Sequence, residues 1–180
     1  MSFNVAEFRA NMIGDGARPN LFSVSLIFPS NVANSTAAGQ KITFMAKTAQ
    51  LPGSSIGTVP VYYFGRELKF AGNRSFPDWT LQIINDEDFA IRNSLESWLN
   101  AINSHAGNIR NSAAVSNLGY TTDATVTQYG KSGQELKKYN FVGLFPIDVA
   151  PIDLDWSSND TIEEYSVSFA YQYWESNTTS

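Results

Sequence analysis

Seventeen acidic side chains, twelve basic ones, one histidine and no cysteine make up the reactive groups of this 180-residue chain. Without cysteine, disulfides, thiol nucleophiles and thiolate metal sites are excluded. His105 stands alone, whereas zinc sites draw on several Cys or His ligands. It falls near the end of a predicted helix, where a cation favours the helix dipole. Gly130-Lys-Ser-Gly133 resembles the end of a phosphate-cradling loop but lacks the upstream glycine at the required spacing. No Gly-x-Ser-x-Gly nucleophile elbow occurs. Asp153, Asp155 and Asp160 place carboxylates at positions that can share a hard cation, yet Trp156 interrupts them and no glycine supplies the sharp turn. They read as solvated acidic surface or as partners of Arg66 or Arg74, since carboxylates are seldom buried unpaired. A carboxylate pair for acid-catalysed hydrolysis, drawn from Asp153, Asp155 or Glu163, is permitted by composition and selected by nothing in the spacing. The expectation is a protein with no catalytic residues, no metal and no cofactor.

Composition points to assembly instead. Charged residues are 16% of the chain and aromatics 13%, against roughly 25% charged in ordinary soluble domains. A surface so poor in charge avoids non-specific association either by being quietly neutral or by being buried in a permanent oligomer, and the oligomer is the stronger reading. The net charge of −5 is unevenly placed. From Tyr139 onward there is no Lys or Arg, while Asp148, Asp153, Asp155, Asp160, Glu163, Glu164 and Glu175 are all acidic. Such a chain does not grip nucleic acid, which needs clustered cations, but it can line a surface past which nucleic acid slips. Met1–Asp15 holds no apolar run long enough for a signal peptide or membrane span, so synthesis in a cytoplasm is expected.

Strand periodicity dominates. Phe22, Val24, Leu26 and Phe28 alternate with Ser23 and Ser25, and Pro29 closes the run. Ser30–Gln40 reads as a polar loop and Lys41–Thr48 as a strand with Ile42, Phe44 and Ala46 on one face. Gln50–Gly57 carries a Pro-Gly turn signal, and Thr58–Phe64 with Arg66–Phe70 suggests a hairpin around Gly65. A break at Ala71–Arg74 leads to a strand over Trp79–Ile84. One helix follows, capped by Asn85 or Asp86, with an apolar stripe of Ile91, Leu95, Trp98, Leu99 and Ile102 and an end near His105 or Gly107. Thr125–Tyr129 and Leu136–Val149 are further strands, the second interrupted at Pro146. In the last run, Thr161–Trp174, Val167, Phe169, Tyr171 and Tyr173 share an apolar face, opposite a small polar face of Ser166, Ser168, Ala170 and Gln172. That second face is either a smooth wall or an ordinary solvated one. The sum is a mainly β chain: a β-sandwich or barrel of two packed antiparallel sheets with one flanking α-helix, in a single domain over 1–180. Residues 1–16, with Phe3, Val5, Phe8, Met12 and Ile13, form either an amphipathic arm that docks on a neighbour or a frayed terminus.

Several segments in order resemble the tail tube proteins of contractile-tailed bacteriophages. They are Ala17–Phe22, Phe44–Pro52, Pro60-Val61, Ala71–Thr80, Asn85-Asp-Glu with Trp98, Gly143–Pro146, Leu154–Asp160 and Tyr173–Glu175. Ser30–Gln40 and Asn103–Glu135 carry no such motif. The resemblance implies six-fold rings whose inner sheets join into a continuous barrel around a lumen. It implies stacked rings inside a sheath, within a virion, through which double-stranded DNA passes without specific binding. The implied partners are further copies of the chain, the sheath protein, a baseplate tube initiator, a tape-measure protein and a tail terminator. The stretch 49–65 corresponds to the family's stacking region, which assigns Leu51, Pro52, Ile56 and Val59 to contact between rings. Arg66, Arg74, Asp78 and Asp155 are expected in ion pairs within the subunit or across the ring, next to Trp79 and Trp156, themselves expected in the core. Ser166, Ser168 and Gln172 are the expected lumen face. The alternatives are the tube of a pyocin or type VI-like injection system, or a monomeric β-sandwich binding module using the aromatic run Tyr165–Trp174 as its platform.

Overall fold

The computed structural model describes residues 4–110 and 119–179. The helix α1 (Val5–Asn11) and a 3-10 turn (Ile13–Asp15) precede β1 (Phe22–Leu26), α2 (Ser35–Met45), β2 (Ala46–Ala49), β3 (Ser55–Tyr63), β4 (Arg66–Ser75) and β5 (Trp79–Ile84). Then come α3 (Ala90–Ile102), β6 (Thr122–Tyr129), β7 (Glu135–Val149), β8 (Glu164–Ala170) and β9 (Tyr173–Ser176). The strands run in the order β1-β6-β7-β8-β5-β2, with β9 also on β7, and β3 pairs only with β4.

The long strand β7 is what turns one hydrogen-bonded path into two packed antiparallel sheets. Its first part pairs β6 and, through Tyr139–Val142, β9, while Phe145–Val149 pairs β8. Between them Gly143 adopts φ +67, and a Cβ there would meet the Gln172 side chain at 2.9 Å, so only glycine permits the bend. Pro146 does not interrupt the strand as expected. It sits at a register shift between Pro146 and Asp148, the position where a missing ladder donor is tolerated.

The alternation read in β1 holds: Val24, Leu26 and Phe28 are buried against Ala124, Val126 and Phe141. Trp79 stacks on Phe141 with centroids 4.4 Å apart, and Trp98 packs against Phe28 at 5.7 Å and Phe169 at 6.4 Å. Both buried indoles have satisfied N–H groups, Trp79 donating to Gln50 O at 2.9 Å and Trp98 to Tyr120 O at 2.8 Å. The stripe on α3 buries Ile91, Leu95 and Trp98, as its spacing requires.

Several expectations fail. Ser35–Met45 is a helix, not the second half of a loop followed by a strand. Ala38 and Ile42, four residues apart, are its buried positions, and Phe44 is 82% exposed, so Ile42 and Phe44 share no face. Within α2, Gly39 brings the helix onto β1, where a Cβ would lie 3.3 Å from Leu26 O. α3 begins at Ala90, not at Asn85 or Asp86: Asp88 accepts the Ala90 amide at 3.0 Å and Asp86 turns to Lys41. The helix ends at Ile102, before His105. The expected break at Ala71–Arg74 is a register shift within β4, which runs on to Ser75: Arg74 pairs Ile56 and Ala71 pairs Thr58. Finally, Thr161–Trp174 is not one strand. The chain leaves β8 after Ala170, Gln172 N donates to Val142 O at 3.0 Å, and after this bend β9 continues in the same direction along the first part of β7. Tyr173 therefore leaves the buried face and is 43% exposed.

Candidate assembly interface

The ribbon formed by β3 and β4 stands apart from this core. Its strands close through Phe64 (φ +46) and Gly65 (φ +79), the two positive dihedrals of a tight hairpin turn whose twist suits the ribbon. Cross-strand pairs put Val59 beside Phe70 and Val61 beside Leu68, giving one apolar face, while Pro60–Lys69 and Tyr62–Glu67 lie on the other. Neither face is covered: Val59 is 51% exposed, Val61 46%, Leu68 44% and Phe70 55%. An isolated two-stranded ribbon is marginal in water at best. Exposed apolar groups on both strands make it a candidate interaction surface.

At the ribbon's root, Trp174 donates to Gly53 O at 3.0 Å and its ring packs edge-on to Phe76. This ties the segment Gln50–Ser54 to the body on one side, with the Trp79–Gln50 hydrogen bond on the other. Of the residues assigned to ring contact, Leu51 (45% exposed), Ile56 and Val59 are exposed and Pro52 is partly buried. The stronger apolar set, Val61, Leu68, Phe70 and the 91%-exposed Phe64, was not singled out from sequence, although the hairpin pattern carried the signal.

The expected ion pairs do not form within the chain. Arg74 donates only to Ser54 Oγ, at 3.4 Å, and neither it nor Arg66, Asp78 or Asp155 takes part in a salt bridge among the described residues. Asp155 caps its own turn, accepting from Ser157 N at 2.9 Å and Ser157 Oγ at 2.7 Å. Those hydrogen bonds, from the amide first, hold its carboxyl below the usual carboxylate range. Trp156 is 100% exposed, contrary to its expected place in the core. The pairs that do form are Lys41 with Asp86 and Asp88, joining α2 to the turn before α3, and Lys47 with Glu164, joining β2 to β8 across β5.

The outward face of β5 and β8 is small and polar. Thr80 pairs Ser168 and Gln82 pairs Ser166, with Thr80 Oγ1 and Ser168 Oγ 3.3 Å apart and Gln82 donating to Glu164 at 2.9 Å. Ser166 and Ser168 thus lie together on one wall, and Gln172 is removed from it by the turn between β8 and β9. The opposite face buries Tyr165, Val167 and Phe169, so of the aromatic run Tyr165–Trp174 only Tyr173 is exposed, with Tyr171 and Trp174 partly buried. Burial pushes the Tyr165 phenol up, while the Arg92 guanidinium over its ring partly opposes the shift. Among the described residues no group of acidic, His or Cys side chains is placed to hold a metal, and no helix is long and apolar enough to cross a membrane.

A sandwich with an unpartnered apolar ribbon and a polar outer wall has its match in known sequences. The family described as "Phage tail tube protein" matches residues 17–177. The chain belongs to that family. The tail tube protein gp19 of Enterobacteria phage T4 is 33% identical to this tube protein over 168 residues, covering 93% of this chain and 96% of the relative. The tail tube protein of Serratia phage KSP90 is 27% identical over 169 residues, covering 93% of each chain. In three dimensions the tube protein shares its fold with a chain of the sheath–tube complex of an extracellular contractile injection system (PVC). That match has a TM-score of 0.61 and 16% identity over 98% of this chain and 99% of the other. A chain of the anti-feeding prophage tube-terminating cap matches with a TM-score of 0.64 and 17% identity over 90% of this chain and 91% of the other. The tube protein is a structural component of a phage tail, and not an enzyme.

Proposed function

We propose that copies of the chain close into six-fold rings, that the sheets carrying β5 and β8 continue from copy to copy as a barrel, and that rings stack through the β3–β4 ribbon. The observation that carries this is the ribbon: a free hairpin with an apolar face of Val59, Val61, Leu68 and Phe70 is stable only when covered. Joining sheets between copies removes the edges that β1, β2 and β9 otherwise expose. The wall of Thr80, Gln82, Ser166 and Ser168 then faces the lumen. Lacking unpaired cations among these residues, it lets double-stranded DNA slide without binding it. Arg66, Arg74, Asp78 and Asp155, in no salt bridge among the described residues, are available for contacts across the ring.

Sheath, baseplate initiator and terminator act as partners at the outside and the two ends, as complexes of the fold relatives suggest. A tape-measure protein sets length, because heterologous stacking has no intrinsic end. Electron microscopy of the purified protein, with sedimentation of the same sample, tests the reading. Rings or tubes with a stain-filled channel are expected. A monomer at every concentration and salt tested, with baseplate extract added, would overturn it.

A further inference from the structure

Ring closure and ribbon stacking leave two features unexplained, one at each end of β7. Beyond its C-terminal end, the loop 151–163 displays Trp156, 100% exposed, with Leu154 79% and Ile162 71% exposed. The loop is built, not slack. Asp155 accepts both the amide and the hydroxyl of Ser157, and Ser158 N donates to Asp155 O at 3.1 Å, which locks the turn carrying the indole. The same loop carries Asp153, Asp155, Asp160 and Glu163, and no Lys or Arg lies within it.

Before the N-terminal end of β7, the 3-10 segment and the β6–β7 turn enclose a cavity of about 260 Å³, lined by Ile13, Ala17, Arg18, Lys131, Gln134 and Leu136 among others. Its apolar members are uncovered, Ile13 being 93% and Leu136 43% exposed. At about 30 Å³ per water, this is the volume of roughly nine waters, room for an indole ring. Arg18 and Lys131 line it, and Lys137 and Lys138 follow within the first residues of β7, against the two acids Glu135 and Asp15, the latter paired with Lys131 at 3.1 Å.

We infer that Trp156 of one copy seats in this cavity of another, with the acidic loop meeting the basic end of β7. A second copy is the occupant because the two surfaces match in both terms: an exposed aromatic against an uncovered apolar cavity, and carboxylates against cations. The loop and the cavity lie at opposite ends of a 15-residue strand, which at roughly 3.3 Å per residue separates them by tens of ångström even with its bend. One chain cannot fill its own cavity. A contact between unlike ends of identical chains is heterologous and repeats along an assembly. It rests on the tube reading and adds a directional contact that the ribbon does not supply. Tryptophan and arginine are the residues that most often anchor interfaces, with charges at the rim setting orientation and salt dependence.

The chain's lack of cysteine permits a direct test. Ser158→Cys and Gln134→Cys are prepared as separate proteins, mixed, assembled and oxidised, and disulfides between unlike chains are scored. Abundant mixed dimers are expected, together with at least about a tenfold rise in the concentration needed for assembly of Trp156→Ala, the scale of losing one aromatic anchor. Wild-type tubes that form while the mixture yields no mixed dimers and Trp156→Ala assembles normally would overturn this contact and leave the tube standing. A wild-type chain that never forms rings would overturn the tube reading and this contact with it.

Discussion

The sandwich body and the β3–β4 ribbon are built from similar residues under opposite rules. In the body, Trp79, Trp98, Phe141 and Phe169 are at most 2% exposed, and each buried indole N–H has an acceptor. In the ribbon, no residue is buried, and Val59, Val61, Leu68 and Phe70 pair across the strands without any third layer. Apolar area removed from water is worth about 25 cal/mol per Å². The body gains this when one chain folds; in the proposed assembly the ribbon gains it on meeting another chain. Stability and assembly are thus written in separate regions, and substitutions can pull them apart.

Trp98→Ala should cost about 3–5 kcal/mol by leaving a cavity among Phe28, Phe169 and Leu95, read as lost stability in urea unfolding of the dispersed chain. The counterpart in the ribbon is Val61→Asp combined with Leu68→Lys, an opposite-charge pair directly across the strands. Both sites are exposed in the single chain, so its unfolding free energy should stay within about 0.5 kcal/mol per site, while pelletable tubes should disappear from sedimentation. Equal losses on both measurements for either variant would erase the division between body and ribbon.

Smaller effects sharpen the comparison at the hairpin tip and at the salt bridges. Phe64 holds φ +46, a left-handed conformation that a bulky side chain adopts at a cost. Phe64→Asn should relieve about 1 kcal/mol of that strain, raising the melting temperature of the dispersed chain slightly while weakening tube formation by removing an exposed ring. A drop in both would place Phe64 in the folded body's energetics instead.

The smallest effect is pH. Lys41, through its hydrogen bonds to Asp86 and Asp88, holds the Asp88 carboxyl below its ordinary value of 3.8 and is itself raised above 10.5. The Asp88 contribution is present above the ordinary value and is lost as pH falls through the depressed one. The Lys41 contribution is present below 10.5 and is lost as pH rises through the raised value. Lys41→Met should therefore flatten the melting profile at both extremes without altering it near neutrality by more than the pair's small exposed contribution.

What the sequence made legible was local and periodic. Alternation in β1, the Gly65 hairpin and the α3 stripe depend on spacing alone, and all three hold. α2 was hidden because Ile42, Phe44 and Ala46 mimic a strand, while the helical pair Ala38 and Ile42 is only one turn long. The division between β8 and β9 was hidden because Tyr171 and Tyr173 continue the alternation past the bend, which lies opposite Gly143 on β7. At the interface, the ribbon's location was legible and its apolar face was not, because that face follows from the register of Val59 with Phe70. Nor did Trp156 announce its exposure: Trp79 and Trp156 both follow an aspartate, and only packing separates them.

The bent strand β7 has a mechanical consequence. It is hydrogen-bonded to β6, β8 and β9 and belongs to both sheets. A pull on either of its ends is shared as shear over three ladders, not spent opening one rung at a time. Resistance to such forced opening is set by the height of the unfolding barrier, not by equilibrium stability. By tying both layers to one continuous backbone, β7 lets a subunit of modest size bear load as a single rigid plate.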